Sequence, residues 1–442
     1  MFHTKKISRW GLWLMLLALI AMTLVGTLQQ QNSTQAHAAS NGVGQQPLLG
    51  WSSWSSLHES ITDAKIRAQA DSMAKNLKSV GFTYINIDSG WSNGYDANGR
   101  PKADATKFPQ GIAGIASYVH SKGLKLGIYM LPGMPQTVYQ ANDKVFGTNI
   151  SVRSFTDTSK QGNTEGDAYR IDYTKPGAPQ YIQSIANLYA SWGVDYIKFD
   201  FVGPGGGKVA ADDTADMKQW ETALKATGRP IWIELSNNLS ISDATTWQST
   251  ANGWRITGDV ECYSSCSNLT DWAKVSSRFA AAAKWEQYAG PGGWNDLDSL
   301  EIGNGSKDGL TLDERKTTMT LWAISAAPLS LGTDLTKLDP TDLSLLTNTE
   351  VIAVDQAGRA AHPISQSTSQ QVWWVKNADG SYTVALFNLG SSTANVTVNW
   401  SSLGITGAHS LHDVWTHKNL GSFTGSYTVS LKTHASQLLI IK

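Results

Sequence analysis

A (β/α)₈ barrel followed by an antiparallel β-sandwich is the fold class the sequence predicts, on three grounds. Short segments rich in β-branched and aromatic residues alternate with stretches of helical period. The alternation repeats about eight times over roughly 310 residues, the length of such a barrel, and no G-x-G-x-x-G loop favours an open doubly wound sheet. After about residue 366 the helical period stops, and apolar and polar residues alternate between turn signals.

The elements follow in order. A first strand is expected near 48–51, then TYINID (83–88), LKLGIYM (124–130), DYIKFDF (195–201), PIWIELS (230–236), WRITGD (254–259), a seventh near 293–298, and APLSLG (327–332). Helices are expected over 62–81 and 111–123, each ending in Gly with a Lys close before it, and over 176–193, which opens with Pro and closes with Gly. The catalytic barrel is assigned to 45–357 and the sandwich to 364–442, where ADGS reads as a hairpin turn and SQLLII as a last strand. The sandwich is expected to buttress the barrel.

The chain has 442 residues, 41% hydrophobic, with 18 Trp, ample for a large core and more than one domain. Its formal charge of −1, without runs of one sign, gives no support to a nucleic-acid partner or an anionic membrane surface. Lys5, Lys6 and Arg9 precede an apolar run that ends before Ala36-His37-Ala38, so residues 1–38 read as a secretory signal peptide. Its removal takes three basic and no acidic residues and moves the charge from −1 to −4. The run is long for a signal, which leaves an uncleaved anchor open; the expected location is extracellular, with no membrane association after cleavage. Cys262 and Cys266 are the two cysteines and are expected to form a local disulfide in an oxidising compartment. With no His or further Cys flanking them or the strand-end aspartates, neither a metal nor a cofactor is expected.

In a barrel of this kind chemistry sits at the C-terminal strand ends, and the polar residues gather there. Asp88 closes the second strand and Lys198 and Asp200 the fourth. Ser236 and Asn237 follow the fifth, Arg255 and Asp259 lie on the sixth, and Asp296 and Asp298 on the seventh. Lys198 and Asp200 share one face of a strand, and unpaired buried charge is expensive, so they belong together at a rim or a site. Several carboxylates at one mouth, with one Lys and one Arg and no His cluster, suggest glycoside hydrolysis: one carboxylate attacks while the other carries a proton. Asp200 beside Lys198 suits the first role and Asp259 beside Tyr263 the second. A serine hydrolase would want G-x-S-x-G, which is absent.

On the stretches GWSSW (50–54), YINIDSGW (84–91), WGVDYIKFD (192–200), WRITGD (254–259) and GPGGWNDLDSLEIGNG (290–305), the chain resembles glycoside hydrolase family 27, the α-galactosidases and α-N-acetylgalactosaminidases. The resemblance implies a retaining double displacement with Asp200 as nucleophile and Asp259 as acid/base. It implies sugar contacts from Trp54, Asp88, Tyr129, Lys198, Arg255 and Asp298. The sequence departs from the family where galactose-specific members carry a second adjacent aspartate, which is Ser89 here, and where many carry Cys-Glu-Trp, here Ser236-Asn237-Asn238. An α-galactosidase acting on an oligosaccharide or polysaccharide is the leading expectation. A β-L-arabinopyranosidase, an isomaltodextranase-like α-1,6-glucan hydrolase, a transglycosylase and an inactive carbohydrate-binding barrel stay open, as does the oligomeric state.

Overall fold

The computed structural model of the protein describes residues 41–442; the expected signal peptide lies outside them. Eight parallel strands form one sheet: β1 (Leu49–Ser52), β2 (Tyr84–Ile87), β3 (Lys125–Met130), β4 (Tyr196–Phe199), β5 (Trp232–Leu235), β6 (Gly253–Arg255), β7 (Trp294–Asp296) and β8 (Leu329–Leu331). The sheet runs β7-β6-β5-β4-β3-β2-β1-β8, so sequence neighbours lie side by side. The seam between β7 and β8 is closed just past β7, where Leu300 bridges to Leu331 and its N–H donates to the Ser330 carbonyl at 2.7 Å. The curled sheet with its crossover helices is the (β/α)₈ barrel of the sequence reading.

The period of two along each strand divides the residues between two environments. Ile85, Ile87, Ile197, Phe199, Ile233 and Leu235 point outward into the helix shell and join its core. Tyr84, Tyr196, Trp232 and Trp294 point inward and, with Leu48 and Ala326, fill the N-terminal end of the barrel with large rings. One inward step further along, the filling turns polar, with Asn86, Lys198, Glu234 and Asp296 all on barrel strands. The aromatic layer is thus a floor on which a polar mouth is built.

Around the sheet run α1 (Asp63–Asn76), α2 (Gly111–Ser121), α3 (Ala178–Trp192), α4 (Thr214–Ala226), α5 (Ala244–Thr250), α6 (Arg278–Trp285), α7 (Leu312–Ile324) and α8 (Thr349–Gln356). The helix expected over 62–81 ends at Asn76 and tightens into a 3₁₀ turn, Lys78–Val80, before Gly81 turns with φ +109°. The strand expected over 254–259 stops at Arg255: the Thr257 carbonyl turns away to accept from Asn238 N–H, leaving Asp259 on a loop. No helix among the described residues is long and apolar enough to cross a membrane.

The C-terminal part holds β9 (Gln370–Lys376), β10 (Tyr382–Asn388), β11 (Ala394–Asn399), β12 (Ala408–Asp413), β13 (Lys418–Thr424), β14 (Ser426–Leu431) and β15 (Ser436–Ile441). The larger sheet runs β9-β10-β15-β12-β13, with His362–Pro363 paired at its outer edge, and β11 pairs with β14 in a second sheet. Val372, Val384, Leu386, Leu439 and Ile441 face Val396, Val398 and Leu431 between the sheets. The alternate residues Trp373, Ala385, Phe387 and Leu438 belong to the same core as the barrel helices. Both faces of β9, β10 and β15 are therefore buried, while β13 at the far edge is largely exposed.

Phe279 of α6 meets Trp373 at 6.0 Å and Phe387 at 4.9 Å between ring centroids, both edge-on. On α7, Thr317 Oγ1 donates to the His434 carbonyl at 2.7 Å, and Thr320 Oγ1 accepts from Trp415 Nε1 at 2.9 Å. The sandwich thus grips the two helices that flank β7. Phe279→Ala removes the ring shared by both parts and is expected to cost about 3–5 kcal/mol. Calorimetry should show one unfolding transition in the wild type and a separated, earlier one in the variant.

Candidate active site

Past the polar layer the strand ends open into a cavity of about 520 Å³. Its wall includes Trp54, Ser89, Tyr129, Lys198, Asp200, Asn237, Arg255, Asp259 and Asp298. Nine of the eleven residues expected to act on substrate are thereby brought together. Asp88, 1% exposed, lies just beneath the wall and is joined to it through Lys198. Ser236 is fully buried behind the wall, and its peptide bond to Asn237 is cis.

Two cations organise the carboxylates. Lys198 Nζ lies 2.9 Å from Asp88 Oδ2 and 3.9 Å from Asp200 Oδ2. Burial on its own would lower the lysine's proton affinity, but the two carboxylates outweigh it and hold the ammonium charged above its ordinary range. Ser52 Oγ at 3.2 Å and the Ser89 N–H at 2.9 Å also donate to Asp88. Asp200 is oriented by the Phe201 N–H, 2.9 Å from its Oδ1, with Phe201 itself at φ +53°.

Arg255 repeats the pattern on the other side. Its Nη2 makes a short contact with Asp259 Oδ1, and its Nη1 lies 3.2 Å from Asp298 Oδ1. Asp298 Oδ2 accepts the Val260 N–H at 2.6 Å, so one carboxylate fixes both the arginine and the loop that bears Asp259. Burial would raise the Asp259 carboxyl, but Arg255 and a hydrogen bond from Tyr263 hold it well below the usual carboxylate range. Deeper in, Asp296 is pushed up to about 6 by burial and by Asp298, whose N–H it accepts at 2.8 Å. Glu234, fully buried and accepting from Trp232 Nε1 at 2.8 Å, is raised well above its ordinary value by burial and then by Asp296.

The remaining wall comes from residues the sequence reading did not select: Ser52, Ser55, Glu59, Glu165, Asp167, Lys208 and Glu261 among them. Glu165 and Lys208 form an ion pair between two loops far apart in sequence. No local pattern marks them, because loop contacts of this kind depend on tertiary folding. Glu59 sits with its Oε1 3.5 Å from Ser89 Oγ, at the wall position where the sequence lacks a second aspartate. Cys262 and Cys266 are joined, with Cα atoms 5.4 Å apart, in the loop that carries Tyr263.

Lys198→Met would leave two carboxylates facing each other with no cation, a loss of about 3–5 kcal/mol. The thermal midpoint of the variant should lie below that of the wild type at neutral pH. An unchanged midpoint across pH 4–8 would show that Lys198 is not the compensating charge.

The family model described as alpha galactosidase A matches residues 53–159 and 164–357, and that of the α-galactosidase C-terminal β-sandwich domain matches 367–441. An α-galactosidase of Cyamopsis tetragonoloba is 32% identical over 430 residues, covering 94% of this chain and 92% of its own. The crystal structure of a GH27 β-L-arabinopyranosidase from Geobacillus stearothermophilus is 30% identical with a TM-score of 0.84, covering 93% of this chain and 98% of its own. α-Galactosidase I of Mortierella vinacea is 28% identical with a TM-score of 0.73, covering 91% and 98%.

Proposed function

The chain belongs to the α-galactosidase family, glycoside hydrolase family 27, and is thus a glycosidase; from that premise we propose that it is a secreted, retaining α-galactosidase that releases terminal α-galactose by double displacement. The observation that carries the reading is that Asp200 and Asp259 line one cavity, each beside its own cation. Asp200 attacks the anomeric carbon and the bond to the leaving oxygen breaks, giving a glycosyl ester. Asp259 delivers its proton to that oxygen and then takes one from the water that hydrolyses the ester. Lys198, Arg255 and Tyr129 supply donors and a ring face to the sugar bound between them.

A hydroxyl-rich ligand suits this wall, because polar groups there discriminate by what they leave unpaired. Glu59 beside Ser89 keeps a carboxylate on the side where the sequence shortens one, which supports a glycone bearing a hydroxymethyl group. A second reading, β-L-arabinopyranoside as substrate, is favoured by the likeness to the Geobacillus enzyme and by the neutral, shortened side chain at Ser89, which removes one charged acceptor for sugar hydroxyls. Secretion is supported by the apolar N-terminal segment with its A-x-A site and by the Cys262–Cys266 disulfide.

Asp200→Ala should lower turnover by about 10⁴-fold or more with folding intact, and Asp259→Ala by about 10²–10⁴-fold on poor leaving groups. With p-nitrophenyl glycosides, wild type should cleave the α-galactoside, and Asp200→Ala should not. Preference for the β-L-arabinopyranoside would select the second reading, and near-wild-type activity of Asp200→Ala would remove the mechanism.

A further inference from the structure

Both oxygens of Asp259 are engaged in the free protein. Arg255 holds Oδ1, and Tyr263 donates its hydroxyl proton to Oδ2 at 2.6 Å. The direction of that hydrogen bond is fixed from outside. The Trp54 indole N–H can only donate, and it donates to the Tyr263 oxygen at 2.9 Å, so the phenol proton is left pointing at the carboxylate. The ring is held in place as well. It is stacked on His58 with centroids 6.2 Å apart and planes 22° apart, and His58 Nε2 is 2.7 Å from Glu261 Oε1. Tyr263 has φ +51° and follows Cys262, whose disulfide to Cys266 closes the loop, and the Cys262 N–H donates to the Leu269 carbonyl at 2.9 Å. Yet 48% of the residue is exposed, a large share for an aromatic so firmly tied at its tip.

This arrangement poses a problem for an acid. A carboxyl that protonates the leaving oxygen must present a proton on one of its oxygens, and here each oxygen already accepts one. We propose that Tyr263 is a positioning residue, oriented by Trp54, that occupies Oδ2 of Asp259 in the free enzyme and yields that oxygen to a proton from solvent as the leaving-group oxygen enters. The inference rests on the reading of Asp259 as acid/base. In the second step the same hydrogen bond holds the carboxylate aimed for the attacking water.

The charged groups facing Asp259 are Arg255, Lys198 and Arg278, with Glu261 and Asp298 opposing them; His58 is paired with Glu261. Tyr263→Phe changes none of these and removes one donor, so the carboxyl becomes easier to protonate. The test is the pH profile of kcat/KM on an α-galactosyl disaccharide, whose poor leaving group needs the acid. Wild-type kcat/KM should fall with rising pH as protonated Asp259 is lost. In Tyr263→Phe the basic limb should move up by about one pH unit. Trp54→Phe, which keeps a ring but frees the phenol to rotate, should move it the same way by less. A basic limb unmoved in Tyr263→Phe, with thermal midpoint unchanged, overturns the proposal. Full activity of Asp259→Ala on the disaccharide would instead overturn the acid/base reading on which it stands.

Discussion

Four carboxylates crowd one barrel mouth, and the structure depends on how their repulsion is met. The solution is two buried cations, each shared by two acids: Lys198 between Asp88 and Asp200, Arg255 between Asp259 and Asp298. Such ions are costly to bury, and each is tolerated because it has two partners. The sharing also separates the members of each pair. In both triads the inner acid, Asp88 or Asp298, accepts further backbone or hydroxyl donors and fixes the cation. The outer acid, Asp200 or Asp259, is more exposed than its partner.

The rest of the barrel serves that geometry. The aromatic floor of Tyr84, Tyr196, Trp232 and Trp294 seals the interior from below, so the polar layer meets solvent only through the mouth. Water excluded from one side strengthens the ion pairs above. Buried Asp296 and Glu234, both raised in proton affinity by burial, continue the polar interior beneath the cations. The catalytic assignment thus draws on a graded interior, apolar at one end and ionic at the other.

Much of this was legible in the sequence, for reasons tied to particular residues. Strand period and Gly/Pro punctuation mark the barrel because they report short-range geometry: Lys198 and Asp200, two apart on a strand, had to share a face. The sequence places Arg255 and Asp259 on one strand, whereas the strand ends at Arg255 and the chain reaches Asp259 by a loop. Glu59, Glu165 and Lys208 carry no local signal, since they reach the cavity from loops whose paths depend on the whole fold. Along the sandwich strands the sequence alternates apolar and polar residues, but β9, β10 and β15 lie between two cores, and Trp373 and Phe387 are as buried as Val372 and Leu386.

The closing seam gives the accessory domain a meaning beyond support. Leu300, whose bridge to Leu331 completes the cylinder, lies two residues past Asp298. The helices on either side of β7 are those the sandwich grips. Any loosening of the C-terminal sheet would therefore travel along one short stretch of chain to the aspartate that aims Arg255 and the loop bearing Asp259. One segment between the two gripped helices thus carries the closing seam of the cylinder and a wall residue of the cavity together.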